Sequence, residues 1–146
     1  MTVRPMTEQD TERVIALWYR TPNMALNSVD DTPEGVARFL RRNPGLSFVA
    51  EQEGEIVGVI LGGHDGRRGY IYHTSVEPHL RSQGIGSALA QACINAIRQE
   101  GIAKMGVVLF AKNEKGSRFW QRQGFNKRDD LEYQDMFLCE LERIIT

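Results

Sequence analysis

The sequence predicts an α/β fold: a mixed central sheet with helices packed on its faces. Three observations predict it. Short apolar runs bounded by turn residues alternate with longer segments in which apolar residues recur every three or four positions. Three strand-like segments follow one another mid-chain with only short turn sequences between them. The last of these runs through a glycine-containing loop into the longest helical segment. The predicted order is strand, two helices, three strands, helix, strand, helix, two strands.

Val3-Arg4-Pro5-Met6 reads as a short first strand. Thr7 followed by Asp10 marks a helix start, and Val14, Ile15, Leu17 and Trp18 supply its apolar face. Pro22 and the polar residues 23–31 interrupt it. Thr32-Pro33-Glu34 restarts a helix, with a capping hydroxyl and a proline in the first turn. Val36, Phe39 and Leu40 line it, and Asn43-Pro44-Gly45 stops it. Residues 46–51 and 56–62 flank Gln52-Glu53-Gly54-Glu55 as a hairpin. Residues 63–69 form a Gly-, Asp- and Arg-rich turn. Residues 70–76 are aromatic and β-branched, a third strand ended by Pro78. From Gln83 to Glu100, Ile85, Leu89, Ala92, Cys93, Ala96 and Ile97 recur at helical spacing, and Gly101 terminates. Residues 105–110 read as a strand, 113–123 as a helix anchored by Phe119 and Trp120, and Gly124 as its stop. Residues 125–128 and 132–141 are expected to close the sheet as a pair of strands.

A chain of 146 residues suits one domain with its own core, so a single domain over 1–146 is expected. Hydrophobic residues at 41% and charged residues at 25% are those of a globular protein. The formal charge of -1 lacks the basic excess of nucleic-acid or membrane binders, so neither partner is expected. Cys93 and Cys139 have no CxxC spacing and sit among apolar neighbours, which fits reduced thiols in the cytoplasm. The first five residues lack the apolar stretch of a signal peptide, and the longest apolar runs are far too short to cross a bilayer.

The chemistry concentrates at the junction Thr74-Ser75-Val76-Glu77-Pro78-His79-Leu80-Arg81-Ser82-Gln83-Gly84-Ile85-Gly86. A strand meets a helix whose first amides have no intrahelical acceptor and carry the positive end of the helix dipole. A pyrophosphate can accept those N–H bonds. Gly84 and Gly86 allow close approach, and Arg81 adds a forked cation. Taken alone, the same residues also describe a plain glycine-rich helix start with a solvated arginine. No Gly-Lys-Ser/Thr follows, which excludes the nucleotide P-loop, and two glycines fall short of the dinucleotide fingerprint.

The wider pattern resembles the GNAT superfamily of N-acetyltransferases, whose signature is a strand with Val-x-Pro followed by Arg/Gln-x-x-Gly-x-Gly/Ala. Here it reads Val76-Glu77-Pro78 and Arg81-Ser82-Gln83-Gly84-Ile85-Gly86. The family's downstream Asn, Phe-Tyr and Gly-Phe are matched by Asn113, Phe119-Trp120 and Gly124-Phe125. Leu17-Trp18 and the turn Gly62-Gly63-His64-Asp65-Gly66-Arg67-Arg68-Gly69 are similar to small bacterial members of the YpeA type. The resemblance implies a mostly antiparallel mixed sheet with helices on both faces, acetyl-coenzyme A as cosubstrate, an amine-bearing acceptor and a homodimer. It also implies roles. Thr74, Ser75 and Val76 would lie along the pantetheine arm, where a backbone N–H would polarise the thioester carbonyl. Arg81, Ser82, Gln83, Gly84, Ile85, Gly86 and Ser87 would hold the pyrophosphate. Asn113 would touch the cofactor near its pantetheine end, or cap the following helix. Trp120 would border the cofactor or sit in the core.

Two departures matter. Trp120 stands where many members carry the tyrosine that protonates the leaving thiolate, and an indole is no acid. The glutamate that some relatives place before the asparagine is replaced within Val107-Val108-Leu109-Phe110. His73, beside the expected thioester site, is the candidate base, with Tyr72 expected on the opposite face and Tyr70 sharing the face of Tyr72. A structural histidine and a water chain are the competing readings. Neither cysteine has a neighbouring base, which favours direct amine attack in a ternary complex. Residues 22–31, the two helices they join and the 63–69 turn would select the acceptor, with Asp30, Asp31 and Asp65 available to a cationic amine. The other function class is a non-catalytic module that senses acyl-coenzyme A or a metabolite, which the loss of the tyrosine allows.

Overall fold

The computed structural model describes all residues, 1–146. Its strands are β1 (Thr2–Pro5), β2 (Leu26–Asn27), β3 (Phe48–Gln52), β4 (Glu55–His64), β5 (Gly69–Val76), β6 (Met105–Val107) and β7 (Arg143–Ile144). Its helices are α1 (Thr11–Tyr19), α2 (Pro33–Arg42), α3 (Ile85–Gln99) and α4 (Glu114–Arg122). The main sheet runs β1-β3-β4-β5-β6. Its first four strands pair antiparallel, and β5 pairs parallel with β6. The mixed, mostly antiparallel sheet is thus as expected.

Helices cover both faces. Strand alternation divides the apolar residues into two clusters. On one face Val14, Leu17 and Trp18 of α1 and Val36 and Leu40 of α2 pack on Val49, Val59 and Leu61. On the other, Ile85, Leu89, Cys93 and Ile97 of α3 and Trp120 of α4 pack on Ala50, Ile60 and Ile71. No helix is long and apolar enough to cross a membrane.

Local chemistry sets the boundaries. The Asp10 carboxylate accepts the Thr7 N–H at 2.8 Å and two bonds from the Arg4 guanidinium at 2.8 Å each. Those partners hold its carboxyl down at about 2, the Arg4 hydrogen bonds contributing most. Thr32 Oγ1 accepts the Gly35 N–H at 3.0 Å with Pro33 in the first turn of α2. Glu53 (φ 52°) and Gly54 (φ 78°) make the tight turn between β3 and β4.

The end of the chain departs from expectation. Residues 125–128 and 132–141 form no strands. From 126 to 141 no backbone group is bonded to another. Leu131, Tyr133 and Leu138 are 63%, 69% and 88% exposed. Apolar content alone does not make a strand, because the ladder needs a partner, and none lies beside these residues. β6 likewise ends at Val107, short of the expected 110. The strand that does form at the end, β7, pairs with β2 inside the loop between α1 and α2.

Candidate functional site

The site begins where strand pairing fails. β5 and β6 are in register only from Gly69↔Met105 to Ile71↔Val107. Beyond Ile71, β5 keeps β4 on one side and has no strand on the other. The cause lies within β5. Leu61 of β4 faces Tyr72, whereas Val59 faces Ser75, so β5 carries an extra residue at 73–74. This is a β-bulge, and His73 occupies it at φ 43°. A left-handed residue other than glycine costs about 1–2 kcal/mol.

The bulge redirects side chains. Alternation placed Tyr72 and His73 on opposite faces, but both lie on the α1–α2 face. The Tyr72 ring meets Phe39 edge-on at 5.7 Å, and the His73 ring meets Trp18 edge-on at 5.0 Å. Tyr70 does share the face of Tyr72, with its ring 6.4 Å away. Burial first, then the neighbouring Tyr70, Tyr133, Asp65 and Asp30, push the Tyr72 phenol up. His73 Nε2 lies 2.8 Å from Asp31 Oδ1, and Trp18 Nε1 donates to the His73 carbonyl at 3.3 Å. Ser75 is buried. Its hydroxyl is 2.9 Å from Thr21 Oγ1, which itself donates to the Leu17 carbonyl, so Ser75 is the donor. Thr74 Oγ1 is buried with no hydrogen-bond partner, and Val76 packs toward α3 and α4.

At the end of β5, Arg81, Ser82, Gln83 and Gly84 are exposed. Ser82 (φ 66°) and Gly84 (φ 85°) are both left-handed and curl the chain into α3. No backbone N–H in residues 82–87 has an acceptor in the protein; Ala88 is the first, donating to the Gly84 carbonyl at 3.0 Å. This is a row of free donors at a helix N-terminus, with the side chain of Arg81 next to it in sequence. The two glycines differ. A Cβ on Gly84 would meet nothing, so its conformation is what matters, whereas one on Gly86 would come within 3.2 Å of the Phe119 ring. Gly86 therefore lets α4 pack on α3. Ile85 is buried beneath the turn, and Ser87 Oγ accepts Gln123 Nε2 at 3.0 Å.

Asn113 caps α4, its Oδ1 accepting the Gly116 N–H at 2.9 Å. Trp120 is buried between Phe119 and Phe125, with ring centroids at 4.9 and 5.4 Å. Burial pushes the Cys93 thiol up to about 12, so it is no nucleophile at neutral pH. The structure therefore gathers two groups. The turn at 81–87 and the open edge of β5 make one, and His73, Tyr72 and Tyr70 with Phe39 and Trp18 make the other. Reasoning from sequence missed Asp31 as the partner of His73, because nothing local links residues 42 apart.

Comparison with known proteins adds four findings. The model of the acetyltransferase (GNAT) family matches residues 12–125. The chain is 31% identical over 131 residues to an acetyltransferase of Sodalis glossinidius (strain morsitans), covering 90% of this chain and 91% of that protein. Its fold is similar to that of Ard1 from Thermoplasma volcanium (TM-score 0.75, 23% identity, 86% and 82% of the two chains). It is also similar to the PaiA N-acetyltransferase from Thermoplasma acidophilum in complex with coenzyme A (TM-score 0.77, 15% identity, 88% and 92%).

Proposed function

The chain belongs to the acetyltransferase (GNAT) family, a family of acetyl-coenzyme A-dependent enzymes, and on that premise we propose that it acetylates a primary amine by direct attack in a ternary complex. The observation that carries this reading is the row of unbonded N–H groups at 82–87, which lies just past the unpaired edge of β5. Arg81, Ser82, Gln83, Gly84, Ile85, Gly86 and Ser87 bind the pyrophosphate through those N–H groups and the Arg81 side chain. Thr74, Ser75 and Val76 carry the pantetheine arm along the open edge, pairing with it as a strand would. A backbone N–H there stabilises the oxyanion of the tetrahedral intermediate. The Nδ2 of Asn113, left over from capping, and the edge of Trp120 border the arm.

His73 serves as base. The cationic amine first gives a proton to the imidazole; the freed lone pair forms the bond to the thioester carbon, the C–S bond breaks, and coenzyme A leaves as thiolate, which takes up the second proton of the amine. No tyrosine acid is needed for a leaving group of this kind. Tyr70, Tyr72 and Phe39, with Asp30 and Asp65 around them, form the acceptor side and favour a cationic amine, whereas Asp31 is already taken by His73 and the Asn27 N–H. Leu17-Trp18 and the 62–69 turn support a place among YpeA-type members, acting as a single cytoplasmic domain and assembling as a homodimer.

The test is release of free thiol from acetyl-coenzyme A across a panel of primary amines. Turnover on at least one amine is expected. Tight coenzyme A binding with no turnover on any amine would overturn the enzymatic reading in favour of an acyl-coenzyme A sensor.

A further inference from the structure

Asp31 is nearly enclosed, its side chain only 4% exposed. A carboxylate so enclosed requires partners. It has two. Oδ2 accepts the Asn27 N–H at 2.8 Å, and Oδ1 lies 2.8 Å from His73 Nε2. Asp31 also directly precedes Thr32, the N-cap of α2, where the helix dipole favours an anion.

We propose that Asp31 is a positioning residue for proton transfer: its carboxylate fixes the His73 imidazole as the Nε2–H tautomer, so that Nδ1 is the atom that takes the proton from the acceptor amine. The proposal rests on the reading of His73 as base and deepens it. A carboxylate only accepts, so the ring must present Nε2–H to it. In a neutral imidazole that leaves the lone pair on Nδ1. Three further features hold the residue in place. The Trp18 ring packs against the imidazole in a T-shaped pair, Trp18 Nε1 holds the His73 backbone carbonyl, and the left-handed bulge sets the direction in which its Cβ leaves the strand. The ring is still one-fifth exposed, so an acceptor can reach it. Strain at a residue other than glycine, kept in place by surrounding contacts, is the kind of outlier from which a functional role can be argued.

The bland alternative is a clamp that ties residues 27–31 to β5. Asp31→Asn separates the two. It keeps the shape but replaces one acceptor oxygen with a donor, so either the ring or the Asn27 N–H loses its partner. On an amine that the enzyme turns over, kcat should fall about 10- to 100-fold, while acceptor KM and coenzyme A affinity stay within about twofold. His73→Ala should lower kcat about 100- to 1,000-fold. The double variant should match His73→Ala, because the two residues act as one unit. Nitrogen-15 NMR of the imidazoles, with the His73 signals assigned by their loss in His73→Gln, should report Nε2–H in the wild type and a larger Nδ1–H population in Asp31→Asn.

Full activity in His73→Ala would remove the base and this proposal together. An impaired His73→Ala beside an Asp31→Asn with wild-type kcat would keep the base and overturn the role of Asp31. Additive losses in the double variant would overturn it too. Should Asp31→Asn fail to fold, an Nδ1–H tautomer in the wild-type protein is enough to sink the proposal.

Discussion

The turn at the start of α3 and the face beneath α1 and α2 solve different problems by different means. The turn offers backbone N–H groups from one run of residues, 82–87, and needs few side chains beyond Arg81. The opposite face offers side chains from four separate places: Trp18, Asp31, Phe39 and His73. The first device is local, so one stretch of sequence encodes it. The second exists only once the chain has folded. In the proposed reading the former takes the cosubstrate and the latter the acceptor.

Four experiments break or sharpen that contrast. The largest effect is expected at Arg81. Arg81→Glu should raise the coenzyme A dissociation constant about 100-fold, since it removes a charge-assisted bond worth about 1.5–3 kcal/mol and adds repulsion. Titration calorimetry measures it. Because Arg81 is exposed, the melting temperature should hold. An unchanged affinity would move the phosphate site elsewhere.

Next comes acid stability on the α1 side. The Asp10 carboxyl is held at about 2 in the fold against an ordinary 3.8. A depressed carboxyl stabilises the fold above the ordinary value and stops doing so as pH falls through about 2. The linkage is about 2 kcal/mol. Asp10→Asn should lose about that much at pH 7 in urea unfolding and show a flatter dependence between pH 4 and 2. Coenzyme A affinity should not follow, since Asp10 belongs to the other region.

Thr32→Ala removes the cap of α2 and should cost about 1 kcal/mol in thermal unfolding. Because Asp31 is its neighbour, a fall in kcat beyond the loss of folded protein would show how firmly the cap holds the acceptor side. The smallest effect is expected at Trp120. Its indole is no acid, so Trp120→Phe should leave kcat within about threefold. A loss of 100-fold would give that ring a part in the chemistry and dissolve the division between the two regions.

The same division explains what was legible in the sequence. The helices were readable because their signals are local: the Thr32 cap, Pro33, and the apolar spacing of Ile85, Leu89, Cys93 and Ile97. The order β3-β4-β5 followed from turn residues between apolar runs. The turn with its free N–H groups at 82–87 was readable for the same reason, although Gly86 proved to serve helix packing against Phe119. The bulge was not readable. A histidine carries no mark of a left-handed backbone, and without that bulge strict alternation puts Tyr72 and His73 on opposite faces. Nor was the pairing of Asp31 with His73, which depends on where the loop after α1 comes to rest. Residues 132–141 mislead in the reverse direction. Their apolar residues suggest a strand, but a strand is a property of two segments, and this one has no neighbour.

The parting of β5 from β6 after Ile71 has a consequence for handling the protein. An unpaired strand edge is a template for any extended chain, including another copy of the same molecule. With the pantetheine arm on this edge, as proposed above, cosubstrate and neighbouring molecules compete for it. Saturation with coenzyme A should therefore keep the protein dispersed on warming, with light scattering rising later than in its absence. On the proposed placement, the ligand that supplies the acetyl group also acts as the missing strand, and the empty protein is the form most exposed to self-association.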